Sequence, residues 1–452
     1  MEVVHPRCAG LDVSKRDVKV CVRIQGSGSR PTQATVTTWG STTRQILALR
    51  DMLVAEGVGM VVIESTGTYW KPFYYLLEDH LALTLVNARE AKTVPGRKTD
   101  VADAEWLADL GAHGLVRASL VPPPPIRELR DLTRTRATIA RDRAREVQRL
   151  EKLLEDAQIK LSSVVTDLCG VASRRILTAM MSGVSDPAAL VLLRGGLKVS
   201  AADLAEALTG RFTEHHAFMT QLLLNRIDQH NAAINHLEQR IEQKINSVHA
   251  PRDLLTSIPG VSRTVADIII AETGADMTAF PSAAHLCSWA GVSPGQHESA
   301  GRRKTAPTRP GNCHLKAALG TAAMSTTRQR NTYLCAKYRR IAARRGKLRA
   351  VVAIQRAILT AVWHMLSTGT YYQDPGPDYY SRHDPSKRAA RAMRALRALG
   401  YQVTVHPVAV ALSRPAHQFR INEKVRGSNL FSSTHVWQSR YFVPLLVMLT
   451  GC

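Results

Sequence analysis

Four carboxylates and one serine in this chain have the types and settings that phosphate chemistry needs. Asp12 follows an apolar run in "CAGLDVSK", Glu64 ends another in "GMVVIES", and Asp100 and Asp103 stand three apart in "GRKTDVADAEWLADLG". A spacing of three places Asp100 and Asp103 on one face of a helix. Carboxylates at neighbouring strand ends and at a helix start can converge on hard cations while leaving positions open for phosphate oxygens, so two Mg2+ ions are the expected cofactor. Taken singly, Asp12 and Asp100 suit the capping of a turn or helix equally well. Far downstream, Ser299 lies in "GQHESAGRRKTAPTRPGN" with Arg302, Arg303, Lys304 and Arg309 after it and His297 two residues before. A serine hydroxyl is a weak nucleophile at neutral pH and needs a base or a metal. Were such a hydroxyl to attack a phosphodiester, the product would be a phosphoserine and a released hydroxyl, with the bond energy kept for rejoining. Arg302, Arg303 and Lys304 would offset the transition-state charge, and Arg309 would add to the nucleic-acid contact. His297 is a weaker candidate for a base.

These residues need elements to hold them. Residues 8 to 24 run an apolar segment into Asp12 and then alternate Val18, Val20, Val22 and Ile24 with polar partners, which predicts a strand hairpin. Met60 to Ile63 reads as a short buried strand and "LALTLVNARE" as another. With helical patterns between them, residues 1–122 read as an α/β domain with helices on a mixed sheet, closing near the "PPPP" of 122–125. Residues 126–250 change character. Leu129, Val147, Leu150, Leu154, Leu161 and Val164 follow a four-three spacing interrupted by Arg136 and Arg143, and Leu223, Ile227, Ile234, Leu237, Ile241 and Val248 give a second seam. Two coiled-coil helices are expected, packing as a hairpin within the chain or pairing between subunits, since seam arginines specify register or partner. Residues 251–330 form a further domain in which "LLTSIPGVSRTVADIIIAETG" resembles a helix-hairpin-helix element, with Gly260 at the turn where backbone N–H groups would face a phosphate. Basic helices fill 331–408, and 409–452 lose periodicity.

Sixty Lys plus Arg against 37 Asp plus Glu give a formal charge of +23, spread over helices and loops. That distribution points to a polyanionic partner, nucleic acid rather than a membrane surface. Seven cysteines without a C-x-x-C pair argue against a disulfide framework or a zinc ribbon. The start "MEVVHPRCAGLDVSK" has no signal-peptide pattern and the sequence shows no 18-residue uninterrupted apolar run, so a reduced cytoplasm and no membrane association are expected.

"GLDVSK", "VIESTGTYW", "NAREAKTVPGRKTDVADAEWLA", "IPGVSRTVADIIIAETG", "FPSAAHLCSWAGVSPGQHESAGRRK" and "TRPGNCHLKAAL" resemble, in kind and order, the transposases of the insertion sequence 110 family over roughly residues 8–330. The resemblance implies a RuvC-like, ribonuclease-H-like N-terminal domain whose Asp, Glu, Asp, Asp metal site falls on Asp12, Glu64, Asp100 and Asp103. It also implies a C-terminal domain with a serine nucleophile in a Q-x-S-S-G-G-K motif. Here "QHESAGR" puts Ser299 at the second serine, with Glu298 and Ala300 in place of the first serine and a glycine. It further implies donor and target DNA as substrates, a structured guide RNA that pairs with both, a homodimer or tetramer, and a nucleoid-associated place in a prokaryotic cytoplasm. Two other readings use fewer of these residues. A metal-dependent nuclease of branched DNA needs the carboxylates but not Ser299, and a basic nucleic-acid-binding protein needs neither.

Overall fold

The computed structural model describes residues 2–65, 67–87, 103–245, 249–295, 298–303, 306–380, 385–400 and 402–403. Asp100, His297 and Lys304, and the stretch 409–452, lie outside the described residues, and of Arg303 only the backbone is described. The chain divides into two compact units, Met1–His383 and Asp384–Cys452.

The first unit begins with a five-stranded sheet in the order β3-β2-β1-β4-β5. Its strands are β1 (Arg7–Val13), β2 (Asp17–Ile24), β3 (Gln33–Gly40), β4 (Met60–Glu64) and β5 (Leu83–Val86). The first three are antiparallel neighbours, whereas β4 pairs parallel with β1 and β5 parallel with β4. The expected strands are present. β3 is an addition, its "QATVTTWG" too polar and exposed to read as a core strand. Alternation sends Ala9, Leu11, Val13, Val18, Val20, Val61 and Ile63 to one face, where helices α1 (Thr43–Ala55) and α2 (Trp70–Leu77) cover them with Ile46, Leu49, Leu53, Phe73 and Leu77. Cys8, Cys21 and Val62 point the other way, against Ala104, Leu107 and Ala108 of α3 (Asp103–Ala112). A sheet between two helix layers results.

Pro124 opens α4 (Pro124–Asp156) as its first residue, a position that tolerates proline because the missing N–H would be unsatisfied there. Its partner is α9 (Glu214–Ile245), and the two pack side by side within the one chain. The seam arginines therefore find partners inside the chain. Arg136 Nε donates to Glu238 Oε1 at 2.9 Å, and Arg143 donates to the Asn231 side chain. What the heptad reading passed over is the cap between the two long helices. Helices α5 (Leu161–Val164), α6 (Val171–Met181), α7 (Pro187–Val191) and α8 (Ala201–Leu208) gather Ile176, Leu177, Leu190, Leu204 and Leu208 around Leu150, Leu154, Leu223 and Ile227.

The remaining helices of the first unit share one core. They are α10 (His249–Thr256), α11 (Arg263–Thr273), α12 (Ala283–Trp289), α13 (Cys313–Arg328), α14 (Tyr333–Arg345) and α15 (Lys347–Thr368). Ile354, Ile358, Leu359 and Val362 of α15 pack with Ile269, Ile270, Leu315 and Leu319, so residues beyond 330 complete this core rather than extend from it. By length and composition α15 is also apolar enough to cross a membrane. The sequence reading missed it because Arg349, Gln355 and Arg356 interrupt the run, and its apolar face is the one that fills the core. All six cysteines among the described residues are free. In the second unit, α16 (Pro385–Ala398) is a single basic helix.

Candidate active site

Leu11 pairs with Ile63 in the parallel β1–β4 register, and each is followed by an acid, Asp12 on β1 and Glu64 on β4. Adjacent strands lie roughly 4.8 Å apart. The two carboxylates thus leave the ends of neighbouring strands at one level and on the face opposite Leu11 and Ile63, the face that α3 covers. Asp12 is half-buried and Glu64 buried. Asp103 is the first residue of α3, where the positive end of a helix favours a carboxylate. Three of the four predicted carboxylates therefore come to one end of one sheet. Among the described residues no three His, Cys, Asp or Glu side chains are grouped closely enough to hold a metal ion, and Asp100 lies outside them. In chemistry the donor set of hard carboxylate oxygens suits a hard divalent cation.

The close approach of α3 depends on Gly10. A Cβ on Gly10 would overlap the Ala104 carbonyl oxygen and the Ala108 nitrogen, so only glycine lets the start of α3 lie against β1. Gly10→Ala is expected to cost about 1–3 kcal/mol by overpacking. Urea unfolding should show a lowered midpoint, and an unchanged midpoint would contradict this packing. Lys19 was not among the predicted residues. It pairs directly with Asp12 across the antiparallel β1–β2 ladder, which puts an exposed ammonium on the carboxylate face. Two-residue alternation from Val18 and Val20 was the available signal.

Ser299 sits elsewhere, on a short antiparallel hairpin of β6 (Glu298–Ser299) and β7 (Arg302–Arg303). Ser299 is exposed and pairs with Arg302, also exposed. The two-residue loop holds Ala300 at φ +48° and Gly301 at φ +73°, the left-handed pair that a tight hairpin requires. Ala300 stands where a residue with a Cβ is strained. Ala300→Gly is expected to firm the hairpin by about 0.5–1 kcal/mol. Amide exchange at Arg302 should slow accordingly, and exchange that stays the same or quickens would contradict it. A Pro294–Thr308 bridge and the Gly295 N–H donating to the Pro307 carbonyl at 3.1 Å continue the hairpin toward its base. Arg309 is exposed just beyond.

Gly260, at the turn where a phosphate contact is expected, has a packing duty. At φ +90° it lies where a Cβ would overlap Thr326 Oγ1, while Thr326 Oγ1 donates to the Pro259 carbonyl at 3.1 Å. The turn is thus fastened to α13. The buried acid that sequence reasoning missed is Glu272, fully inaccessible in α11. Arg134 of α4 donates to both its oxygens, at 2.7 and 2.8 Å, and Asn312 Nδ2 donates at 2.6 Å. Asn312 in turn caps α13 by accepting from the Leu315 N–H at 3.0 Å. Arg130 donates to the Ala271 and Glu272 carbonyls, and Arg127 donates to Glu78 Oε1 at 2.8 Å while lying over the Tyr75 ring. The start of α4 therefore clamps the end of α2 on one side and, through Glu272, the start of α13 on the other. Burial, followed by the charge of Arg134, holds His314 in the first turn of α13 below its ordinary pKa. A lone acid in the apolar run "IIIAETG" was the signal for Glu272.

A family model described as "Transposase", for the DEDD transposases of the IS110 type, matches residues 9–159, which hold nearly the whole sheet and all of α4. A second, "Transposase IS116/IS110/IS902 family", matches residues 252–339, which include the Ser299 hairpin. The chain belongs to the IS110 family of transposases. The chain is also similar to "Insertion element IS110 uncharacterized 43.6 kDa protein" of Streptomyces coelicolor, 34% identical over 155 residues. That alignment covers 32% of this chain and 36% of the relative's length. Both ends of the IS110 pattern, the carboxylate sheet and the serine hairpin, thus fall inside matched segments.

Proposed function

We propose that the chain cuts and rejoins DNA as the recombinase of its insertion sequence. The single observation that supports the reading is the position of Asp12 and Glu64 one step past the Leu11–Ile63 pair, with the start of α3, whose first residue is Asp103, packed against β1 at Gly10. The sheet order and the change from antiparallel to parallel pairing at β1 support a ribonuclease-H-like description of this domain. Mg2+ held by Asp12, Glu64, Asp103 and Asp100 would polarise the scissile phosphate as a Lewis acid. Lys19 offers that phosphate a counter-charge. On the hairpin, the Ser299 oxygen forms a bond to phosphorus as the bond to the 3′ oxygen breaks, and the 3′ end leaves as a hydroxyl. Arg302, opposite Ser299, and the neighbouring Arg303, Lys304 and Arg309 offset phosphate charge. The reverse attack by another strand's 3′ hydroxyl frees the serine and joins the strands without ATP.

Donor and target DNA are the substrates in this reading. A structured RNA encoded with the element selects them by pairing, the protein reading backbone and shape. The charge of +23 suits both polyanions. A dimer or tetramer would bring the sheet of one subunit to the hairpin of another, although the α4 seam arginines, partnered within the chain, no longer argue for it. The test supplies the full chain with Mg2+, DNA carrying the element's ends in their flanks, and transcript of the element's non-coding segment. Recombinant joints formed without ATP support the reading. Cut fragments with free 5′ phosphates and no joints replace it with a metal-dependent nuclease.

A further inference from the structure

From Ser299 to Gln373 the chain has 15 Lys and Arg residues and no Asp or Glu. The tip of the α14–α15 hairpin concentrates this charge. Gly346, at φ +86°, joins the two helices alone, its N–H donating to the Ala342 carbonyl at 3.0 Å. Around it Arg344, Arg345, Lys347, Leu348 and Arg349 are all exposed. Leu348 is 85% exposed, the most open of the large apolar side chains among the described residues. The first turn of the 22-residue α15 has no side-chain cap, so its N–H groups add to the positive field. One turn further on, Ala350, Ile354 and Ile358 are fully buried in the core, which presents the tip on a fixed base.

An apolar side chain held in water among four cations fits a surface that offers phosphates at its edges and an apolar group between them. We propose that this tip docks in the major groove of duplex DNA, with Arg344, Arg345, Lys347 and Arg349 on the two phosphate ridges and Leu348 against the C5-methyl of thymine. The major groove of B-form DNA admits a helix and displays that methyl group. The major groove of an RNA duplex is too deep and narrow for a side chain to read. Uracil, moreover, has no methyl for Leu348 to meet. The inference rests on the chain being a DNA-acting protein and needs none of the chemistry assigned to Asp12, Glu64, Asp103 or Ser299.

Binding alone tests it. The full chain is titrated into a short A·T-rich DNA duplex, the same duplex with deoxyuridine in place of thymidine, and an RNA duplex of matching sequence. Leu348→Ala, a change at an open surface that leaves folding intact, should weaken binding to the thymidine duplex by about five- to tenfold and leave the deoxyuridine and RNA duplexes unaffected. The double variant R344A/R345A should weaken both DNA duplexes and reduce the slope of log affinity against log salt by about 1.8. Equal binding of wild type and Leu348→Ala to the thymidine duplex would overturn the proposal. So would a loss of equal size on all three probes, or an unchanged salt slope in the double variant. Because no strand is cut in these measurements, an inactive site at Asp12 or Ser299 would leave their outcome as stated.

Discussion

Asp103→Asn should slow DNA strand cleavage by on the order of 10^3-fold or more while leaving nucleic-acid affinity almost unchanged. Asparagine keeps the size of aspartate and favours a helix start as well as aspartate does, so α3 and its seat against Gly10 persist. What would disappear from the proposed site is one negative charge at the end of the sheet that carries Asp12 and Glu64, and with it a hard ligand for a cation. Glu105→Gln supplies the contrast. Glu105 lies in the same turn but is exposed, and its replacement should leave the rate within about twofold. Gel-resolved cleavage under single-turnover conditions separates the two variants. Normal cutting by Asp103→Asn would remove this carboxylate from the site.

Glu272→Ala should cost about 3–5 kcal/mol of stability, the price of stranding the partners of a buried carboxylate. Arg134 and Asn312 both donate to Glu272, Arg130 stands at 3.4 Å, and no water reaches the carboxylate to replace it. The loss is not confined to folding. Asn312 caps α13 three residues after Arg309, so freeing it loosens the base of the Ser299 segment. Burial raises the Glu272 pKa, but the hydrogen bonds and charges of Arg134, Asn312 and Arg130 outweigh it, and the net direction is downward. A carboxyl depressed in the folded chain stabilises above its unfolded pKa, near 4.3, and that contribution is lost as pH falls through the folded value. Wild type and Glu272→Ala should therefore differ most in urea unfolding near neutral pH and converge in acid. A difference under about 1 kcal/mol at neutral pH would contradict the clamp.

The sheet was legible because Val18, Val20 and Val22 alternate with polar partners and because Asp12 and Glu64 punctuate apolar runs. β3 was not, since an exposed edge strand such as "QATVTTWG" carries no buried face to set a pattern. The long helices α4 and α9 declare themselves through a sustained seam. The cap between them does not, because helices of four to 11 residues are too short for a period to emerge. The Ser299 hairpin escapes for a related reason. Two-residue strands leave no alternation, and its turn uses Ala300 where the usual signal would be Asn-Gly or Gly-Gly. Candidate carboxylates could be named from sequence, but their supports could not. That Gly10 admits α3, and that Gly260 serves α13, are facts of close approach between residues far apart in the chain.

On the proposed mechanism, a serine of this chain becomes joined to DNA. The most direct measurement incubates the full protein with Mg2+, the element's transcript and end-labelled DNA of the element's ends, denatures the mixture, and looks for labelled protein by gel and by mass spectrometry of peptides. A denaturant-resistant adduct mapping to Ser299 is expected, absent from Ser299→Ala although that variant binds the same nucleic acids. If Ser299→Ala cuts as well as wild type, and the products end in free 5′ phosphates with no labelled protein, water is the nucleophile and the account is contradicted.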